Sequence, residues 1–378
     1  MHRIALDYTP ALKQTGGIGR YARELTGALA SVDPSNAYRL FAAGSKSAEL
    51  PDLPGGNFSW RSTRVSSKWL ARLWHRAGIP LPIETITGPI DLYHATDFVL
   101  PPTRSGTRTL LTVHDLSFIR VPTAASPPLK AYLDAVVPPS VAAADHILAD
   151  SEATKADLIE LYRTPGDKIT VLYSGVNPRF RRVDDAEALR RVRLKYGLAN
   201  SYILSVGTVQ PRKNYSRVVE ALSALRQAGH DLHYVIAGGS GWLEDELEAT
   251  IEREGMGEYV HLLGLVDDED LPALYSGARA LVMISLYEGF GLPVLEAMAC
   301  GTPVITSNLS SLPEVGGSAA LLVDPHDTEA VQDAILRLEA DAATRTRLIK
   351  AGYQQAERFS WARAARQLKA IYDEILRS

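Results

Sequence analysis

The 378-residue chain contains a single cysteine, Cys300. One thiol cannot form a disulfide within the chain, and it cannot supply the several sulfur ligands of a cysteine-based metal site. Cys300 stands between Ala299 and Gly301 at the end of an apolar run, a position typical of a buried, unreactive thiol. The sequence therefore excludes a disulfide-stabilised fold and a cysteine-ligated metal centre.

Long apolar runs and an excess of basic residues are also missing. No stretch approaches the roughly 20 apolar residues that a transmembrane helix needs. The net charge of −4 leaves no basic surplus with which to neutralise the phosphates of a nucleic acid. The N-terminal residues enter a strand pattern directly, without the features of a signal peptide. We therefore expect a cytoplasmic protein that does not bind nucleic acid.

Short apolar runs of strand length alternate with longer segments of helical period along the whole chain. Such alternation predicts an α/β fold with doubly wound parallel sheets. The predicted strands are Ile4–Leu6, Tyr38–Ala42, Asp91–His94, Leu110–Val113, His146–Ala149, Ile169–Leu172, Tyr202–Val206, Tyr234–Ala237, Val260–Leu262, Ala280–Ile284, Pro303–Thr306 and Ala320–Val323. Turn residues cluster from Ser174 to Asp185, which predicts a boundary between a domain of residues 1–180 and a domain of residues 181–360.

The most informative motif runs from Ser285 to Pro303 and follows a predicted strand. Gly289 and Gly291 leave backbone N–H groups open before a helix, which makes a ready site for an anion. Glu288 precedes this helix, and Glu296 lies about one turn inside it. Taken alone, the two glutamates could equally be a loop charge and part of a solvated helix face.

Two carboxylates also suggest glycoside hydrolysis, but their spacing disfavours it. Across the intervening loop and helix, Glu288 and Glu296 are expected to lie about 10 Å or more apart. A retaining hydrolase needs roughly 5 Å between its carboxylates, and an inverting one needs roughly 6.5–9.5 Å. We interpret the pair as two hydroxyl-binding groups along one extended ligand.

A second motif, Ser205 to Asn214, follows another predicted strand of the same domain. Arg212 and Lys213 come after the turn at Gly207, and adjacent Arg and Lys side chains suit a diphosphate. Taken alone, such a pair is more often a solvated part of the surface. Its presence in the same domain as Glu288 favours one site for a phosphorylated ligand.

Together these motifs resemble glycosyltransferase family 4, and the resemblance covers nearly the whole chain. The matching segments are Thr15–Tyr21, His114–Asp115, Val171–Val176, Gly207–Asn214, Ile236–Gly239, Leu263–Val266 and Glu288–Glu296. The resemblance implies the GT-B fold, in which two Rossmann-like domains face each other across a cleft. It also implies a retaining hexosyltransferase without a metal or other cofactor. Acceptors are expected on the N-terminal domain, to which a final helix within residues 361–378 returns.

The resemblance also implies roles for single residues. Residues that match Arg212 and Lys213 bind the donor diphosphate, the one that matches Glu288 contacts the transferred sugar, and the one that matches Glu296 holds the ribose. In the family, the residue that matches His114 lies near the donor sugar. The catalytic residues that the resemblance implies are therefore His114, Arg212, Lys213 and Glu288. The implied donor-binding residues are Gly17, Gly207, Arg212, Lys213, Gly238, Leu265, Val266, Glu288, Gly289, Phe290, Gly291, Leu292 and Glu296.

The identity of the substrates is predicted from smaller details. Many members of the family have an arginine where this chain has Thr208, so Arg212 is expected to carry more of the phosphate charge. The Pro-Arg-Lys-Asn sequence at 211–214 resembles mannosyltransferases of surface-polysaccharide assembly. We therefore predict GDP-mannose as the donor, with a UDP-sugar as the alternative, and a glycan or polyprenyl-linked acceptor. The rival functions are a non-catalytic nucleotide-sugar-binding subunit and a GT-B-fold epimerase.

Three other signals favour structural roles or leave the choice open. The segment 17–22 fits a dinucleotide-binding fingerprint, but about ten residues separate it from the preceding strand, and no carboxylate ends the next strand. Asp268 and Asp270 match the Asp-x-Asp motif of metal-dependent transferases. They also directly precede a predicted helix, whose N-terminus favours acidic residues. We predict neither a nicotinamide enzyme nor a metal site. His94 follows a predicted strand and is as consistent with a structural role as with a functional one.

Residues 58–78 contain five basic residues, three tryptophans and no acidic residue. At helical spacing, one side of this segment is apolar and a basic edge lies beside it: Trp69, Leu70, Leu73, Trp74 and Ala77 against Lys68, Arg72 and Arg76. Such a helix could lie on a membrane, which would suit a lipid-linked acceptor. The alternative is a helix that packs on its own domain with a solvated basic edge. Peripheral contact with the inner face of the cell membrane is our hypothesis for this segment.

Overall fold

The computed structural model describes residues 1–46, 49–199, 201–241 and 245–377, without the side chains of Arg76 and Ala124. The chain forms two compact units. Unit 1 consists of Met1–Leu116, Pro127–Gly175 and Trp361–Ser378, and unit 2 consists of Ser117–Ser126 and Val176–Ser360.

The described residues form thirteen strands and sixteen α-helices. The strands are β1 (Arg3–Asp7), β2 (Ala37–Ala43), β3 (Phe58–Thr63), β4 (Leu92–Ala95), β5 (Arg108–Val113), β6 (His146–Ala149), β7 (Ile169–Val171), β8 (Tyr202–Val206), β9 (His233–Ala237), β10 (Val260–Gly264), β11 (Leu281–Met283), β12 (Val304–Ser307) and β13 (Ala320–Val323). The helices are α1 (Thr9–Lys13), α2 (Gly17–Val32), α3 (Ser67–Ala71), α4 (Glu84–Thr87), α5 (Ser117–Arg120), α6 (Pro127–Ala143), α7 (Glu152–Tyr162), α8 (Ala186–Lys195), α9 (Tyr215–Gln227), α10 (Asp245–Arg253), α11 (Leu271–Gly277), α12 (Leu292–Ala299), α13 (Leu312–Gly316), α14 (Thr328–Ala340), α15 (Ala342–Glu357) and α16 (Trp361–Ile375).

Unit 1 contains a seven-stranded parallel sheet in the order β3-β2-β1-β4-β5-β6-β7. Strand β4 is buried along its whole length, as expected when helices cover both faces of a parallel sheet. The final helix α16 packs against α2, and the Tyr21 and Trp361 rings meet edge to face at 6.0 Å. The strand order reverses between β1 and β4, and ligands of such sheets bind at the carboxyl ends of the strands beside this reversal.

Unit 2 contains a six-stranded parallel sheet in the order β10-β9-β8-β11-β12-β13. This is the strand order of the Rossmann fold, and its reversal lies between β8 and β11. Apolar residues of α9 and α14, such as Val219, Leu222 and Val331, pack into one core with β8, β9 and β11. The predicted α/β class with two Rossmann-like domains is confirmed.

The strand predictions located every strand except β3. Residues 58–63 form this strand beside β2, so the segment 58–78 is a strand followed by the short helix α3 and a π-helical turn, Arg72–Arg76. The predicted apolar side is wrong in detail, because Leu70 is buried at 3% exposure whereas Trp69 is 63% exposed. The side chain of Arg76 lies outside the described residues.

Two kinds of feature are absent from the described residues: a membrane-spanning helix and a cluster of metal ligands. None of the helices there combines the length and the apolar character that crossing a membrane requires. No three or more His, Cys, Asp or Glu side chains of the described ranges are grouped so that they could hold a metal ion.

The loops that follow β8 and β9 touch at a pair of glycines. A Cβ atom on Gly238 would stand 2.0 Å from the carbonyl oxygen of Gly207, a distance that no real contact allows. The N–H of Gly207 donates to the carbonyl of Ala237 at 2.9 Å, which fixes the two loops side by side. Gly238 is thus required by packing at the carboxyl edge of the sheet.

We expect Gly238→Ala to lower the free energy of unfolding of unit 2 by about 2 kcal/mol or more, because the obstacle is backbone rather than a flexible side chain. Gly257→Ala is the matched control, since nothing lies within 4 Å of its added Cβ. Thermal melting followed by circular dichroism measures both. Equal stability of the two variants would contradict this account of Gly238.

Candidate active site

Arg212, Lys213 and Glu288 meet at the reversal point of unit 2. Lys213 Nζ lies 2.7 Å from Glu288 Oε1, and Arg212 Nη1 lies 2.7 Å from Glu288 Oε2. The side chains of Lys213 and Glu288 are 9% and 8% exposed, and that of Arg212 is 15% exposed. Arg212 and Lys213, which were predicted to lie at one site, therefore share a single buried carboxylate.

Backbone geometry holds this trio in place. Arg212 and Lys213 end a 3-10 turn that follows β8, and Asn214 then adopts a left-handed conformation with φ of 59° before α9 begins. The N–H of Leu286 donates to the carbonyl of Arg212 at 2.8 Å, and Arg212 Nη1 donates to the carbonyl of Tyr287 at 2.8 Å. The loops after β8 and β11 are thus tied to each other through main chain and side chain.

The charges of the trio fix the protonation of Glu288. Burial alone would favour the neutral acid, but the positive charges of Arg212 and Lys213 outweigh it and lower the pKa of Glu288 to about 2. Glu288 is therefore ionised near neutral pH, and it cannot serve as a general acid there. The three side chains together carry one net positive charge.

The loop from Gly289 to Leu292 leads directly into α12. Gly291 precedes the helix with φ of 118°, a conformation that strongly favours glycine. The hydroxyl of Ser311 lies 2.9 Å from the carbonyl oxygen of Glu288 and 2.7 Å from that of Phe290. The Ser311 hydroxyl therefore connects to both ends of the Glu288–Phe290 turn, and the positive end of the α12 dipole begins at Leu292, shortly after it.

Glu296 lies inside α12 and is 2% exposed. It accepts a hydrogen bond of 2.8 Å from the hydroxyl of Tyr275 on α11. The interpretation of Glu288 and Glu296 as a loop charge and a solvated helix face is wrong, because both are buried. The ribose-binding role of Glu296 stays a prediction.

The remaining predicted donor-binding residues of unit 2 lie at the carboxyl ends of neighbouring strands. Gly207 follows β8 with φ of 148°, and a Cβ there would lie 3.1 Å from Lys213 Cε, so its lack of a side chain leaves room for the lysine. Leu265 follows β10 and is 73% exposed, and Val266 beside it is partly exposed. An exposed leucine at this edge fits an apolar surface against which a flat base could lie.

His114 lies at the end of β5 in unit 1 and is 5% exposed. Its Nδ1 lies 2.8 Å from Asp150 Oδ2, and its Nε2 lies 2.9 Å from the carbonyl oxygen of Thr96. Both partners accept hydrogen bonds, so both ring nitrogens must donate. Burial disfavours the charged ring, but Asp150 and the Thr96 carbonyl outweigh it and raise the pKa of His114 to about 9. His114 is therefore an imidazolium, which can stabilise negative charge but cannot accept a proton.

His94 is buried like His114 but differs from it in its hydrogen-bond partners and its charge. It is fully buried, with Nδ1 at 2.7 Å from the Tyr372 hydroxyl and Nε2 at 2.9 Å from Thr112 Oγ1. Burial lowers its pKa to about 3, so the ring is neutral. Its hydrogen bonds tie α16 to the sheet of unit 1, which is a structural role.

Gly17 is the exposed first residue of α2, and no atom lies within 4 Å of the position of its missing Cβ. The helix α1 separates it from β1, so the tight turn of a dinucleotide-binding fingerprint is absent at this point. Its predicted contact with the donor phosphates stays a prediction.

The acidic motif before α11 is occupied by internal contacts. Asp268 pairs with Arg179 at 2.9 Å, and Asp270 accepts hydrogen bonds from Lys195 at 2.5 Å and from Tyr196 at 2.9 Å. Helix α11 begins at Leu271, directly after these residues, as predicted, but the Asp270 side chain makes no capping hydrogen bond, and the carboxylates pair with Arg179 and Lys195 instead.

Sequence reasoning missed two carboxylates at the reversal point of unit 1. Asp7 ends β1, Asp97 follows β4, and both are partly exposed. Burial raises the pKa of Asp7 to about 6 and raises that of Asp97, which accepts a 2.7 Å hydrogen bond from Gln14. Their position directly after two neighbouring strands is the signal that could have revealed them.

The whole chain resembles solved structures with the GT-B fold. Sucrose-phosphate synthase from Thermosynechococcus elongatus superposes with a TM-score of 0.77 at 22% identity, covering 99% of both chains. WaaG, a glycosyltransferase involved in lipopolysaccharide biosynthesis, superposes with a TM-score of 0.73 at 16% identity, covering 98% of this chain and 99% of that one. At these identities the likeness establishes the fold.

Sequence comparison establishes the family. The family model for glycosyl transferases group 1 matches residues 191–355, and that for glycosyltransferase family 4 matches residues 15–180. The O-antigen chain mannosyltransferase B of Escherichia coli is 34% identical over 94% of this chain and 95% of its own length. The serotype-specific mannosyltransferase WbdA of the same species is 32% identical over 62% of this chain, which corresponds to 29% of its own length. The chain belongs to glycosyltransferase family 4.

The His114–Asp150 pair gives a test by pH. The folded protein holds the His114 proton more tightly than the unfolded chain, so this stabilisation is complete below about pH 6.5 and is lost as the pH rises towards 9. Between these pH values, we expect the free energy of unfolding of unit 1 to fall by at least about 1 kcal/mol more in the unaltered protein than in the His114→Gln variant. Urea unfolding followed by tryptophan fluorescence suits this test, since four of the five tryptophans, Trp60, Trp69, Trp74 and Trp361, lie in unit 1. Parallel losses in the two proteins would contradict the charged state of His114.

Proposed function

We propose that this glycosyltransferase moves mannose from GDP-mannose to a glycan or polyprenyl-linked acceptor of a cell-surface polysaccharide, with retention of configuration and without a metal. The observation that carries the proposal is the buried trio of Arg212, Lys213 and Glu288 at the reversal point of unit 2.

The trio suits the diphosphate and the sugar of a donor together. One net positive charge, with the N-terminus of α12 beside it, attracts an anion. Arg212 and Lys213 each carry several N–H donors suited to phosphate oxygens, while the carboxylate oxygens of Glu288 suit sugar hydroxyls. A diphosphate would compete with Glu288 for the two cations and leave the carboxylate freer to accept from the sugar.

The reaction proposed here breaks the bond between the anomeric carbon and the phosphate oxygen. The acceptor oxygen forms the new bond on the same face of the sugar, and its proton passes to the departing phosphate oxygen. Negative charge grows on the diphosphate as the bond breaks, so Arg212 and Lys213 stabilise the transition state more than the ground state. In this scheme no carboxylate acts as a nucleophile, which agrees with a Glu288 held between two cations.

The choice of mannose rests on the relatives. The two relatives described above are named as mannosyltransferases, and one of them matches over nearly its whole length. Their names support mannose as the transferred sugar and a surface polysaccharide as the product. GDP as the nucleotide follows from the resemblance of residues 211–214 to mannosyltransferases.

We place the acceptor on unit 1. Asp7 and Asp97, at the reversal point of that sheet, have carboxyl groups that can accept hydrogen bonds from sugar hydroxyls without favouring an anion. An imidazolium at His114 would add positive charge to this edge of the sheet and could stabilise the charge that develops on a nearby oxygen.

Substitution of the trio tests the catalytic assignment. We expect Lys213→Ala and Glu288→Gln each to reduce mannosyl transfer at least about a hundredfold, the scale of losing one preorganised group. Lys213→Ala should also weaken GDP binding, whereas Glu288→Gln should leave it unchanged or stronger, because a competing negative charge is gone. Initial rates and calorimetric titration with GDP give the two quantities.

The matched controls are Lys350→Ala and Glu357→Gln, two exposed charges on α15 that should leave the rates unchanged. Removal of one member of a buried ion pair also destabilises the fold, so each variant is first checked by thermal melting. A folded Lys213→Ala protein with near-normal transfer would refute the assignment. Conversion of the donor in the absence of any acceptor would instead favour an epimerase.

The nucleotide can be identified by thermal shift. Binding to the folded state raises the melting temperature according to concentration and affinity, so the correct nucleotide raises it most. We expect GDP to give a larger shift than UDP or ADP at equal concentration, and Lys213→Ala to lose most of that shift. A larger shift with UDP would overturn the choice of GDP and leave the transferase assignment intact.

A further inference from the structure

Residues 64–81 of unit 1, here called the tryptophan segment, expose an unusual amount of apolar surface. Trp69 is 63% exposed, Val65 and Ile79 are each 47% exposed, and Leu81 is 37% exposed. Folded proteins usually bury most of a tryptophan side chain. A cluster of exposed apolar side chains within one short segment indicates a surface that contacts a membrane or another protein.

The fold imposes this exposure. Ser66 caps α3, and Leu70 and Ala71 of that helix point into unit 1, so the neighbouring Trp69 points outward. Beyond the π-helical turn, the N–H of Ile79 donates to the carbonyl of Leu73 at 3.0 Å. The indole N–H of Trp74 donates to the carbonyl of Leu81 at 3.0 Å. The second group of exposed residues is thus held against the first by hydrogen bonds.

The same segment carries uncompensated positive charge. Arg64, Lys68 and Arg72 are exposed, and none of them forms an ion pair with a described residue. The guanidinium of Arg72 lies 5.1 Å from the centre of the Trp69 ring. No aspartate or glutamate occurs between Phe58 and Leu81. Apolar and basic groups therefore share one surface.

We propose that the tryptophan segment binds the surface of an anionic lipid bilayer. Tryptophan favours the interface between lipid headgroups and acyl chains, and Lys and Arg near that interface are attracted to anionic headgroups. A second copy of this chain fits the surface less well, because pairing two such segments would bring their like charges together. The bilayer is thus the occupant that satisfies both the apolar and the charged groups.

This surface lies outside the donor-binding trio and is independent of the nucleotide. It deepens the proposed function only in placing the enzyme where a lipid-linked acceptor would be found. Failure of one proposal therefore leaves the other standing. Transfer to a water-soluble acceptor should be the same in all the variants described next.

Flotation with vesicles tests the proposal directly. The full chain should bind vesicles of phosphatidylglycerol and phosphatidylcholine more tightly than vesicles of phosphatidylcholine alone, and added salt should weaken the binding. Trp69→Ala should weaken it about fivefold or more. The triple variant Arg64→Gln, Lys68→Gln and Arg72→Gln should weaken it at least about twentyfold, since each basic residue contributes roughly fivefold at such a surface.

Matched control variants remove apolar and basic side chains of the same kind from unit 2. Leu194→Ala removes an apolar side chain that is 70% exposed in unit 2. The triple variant Arg181→Gln, Arg347→Gln and Lys350→Gln removes three exposed positive charges from unit 2 and leaves the same net charge. Both controls should bind vesicles as the unaltered chain does.

Three outcomes would overturn the proposal. The first is equal binding to both kinds of vesicle. The second is a loss of vesicle binding that is equal in the variants of the tryptophan segment and in their controls. The third is self-association in sedimentation velocity that Trp69→Ala abolishes, without any binding to vesicles. That result would assign the surface to a second copy of the chain.

Discussion

The arrangement of unit 2 depends on the two ion pairs that Glu288 makes with Arg212 and Lys213. Burying three charges is costly, and apolar residues of similar volume usually stabilise a fold as well or better. Loss of Glu288 would leave two buried cations without their shared carboxylate, at a cost of about 3–5 kcal/mol. Such a trio is weak evidence for stability, but it lies at the carboxyl ends of β8 and β11, where the strand order reverses. Its position and its energetic cost together favour a role in binding an anion.

The glycines around the trio follow from the same constraint. The Lys213 side chain lies close to Gly207, where a Cβ would stand 3.1 Å from Lys213 Cε, so glycine leaves room for the lysine beside Glu288. The carbonyl of Gly207 in turn occupies the place where Gly238 would carry a side chain. The loops after β8, β9 and β11 are therefore packed backbone to backbone beside the charged trio. Gly238 was expected to bind the donor, and its packing role is sufficient to require glycine even without a ligand.

The sequence predicted the strands well because each buried strand of a parallel sheet appears as an apolar run, as in Leu110–Val113. It did not predict β3, whose residues Ser59, Arg61 and Ser62 break such a run. It also placed Trp69 and Leu70 on one face, because periodicity assumes a continuous helix, whereas α3 has five residues and leads into a π-helical turn. The candidate site was found from residue types after strand ends. The pairing of Glu288 with both cations could not be predicted, since it depends on the distance between two loops that only the folded sheet sets.

The reversal points of the two sheets differ in charge, and this difference matches two kinds of ligand. In unit 2, Arg212, Lys213 and Glu288 leave a net positive charge, which suits a diphosphate. In unit 1, Asp7 and Asp97 stand at the corresponding strand ends, and burial raises the pKa of both carboxyl groups. Carboxyl groups there would repel a phosphate but accept hydrogen bonds from uncharged hydroxyls. The same Rossmann-like scaffold thus provides one unit with a site suited to an anionic donor and the other with a site suited to a neutral sugar, because different polar residues follow equivalent strands.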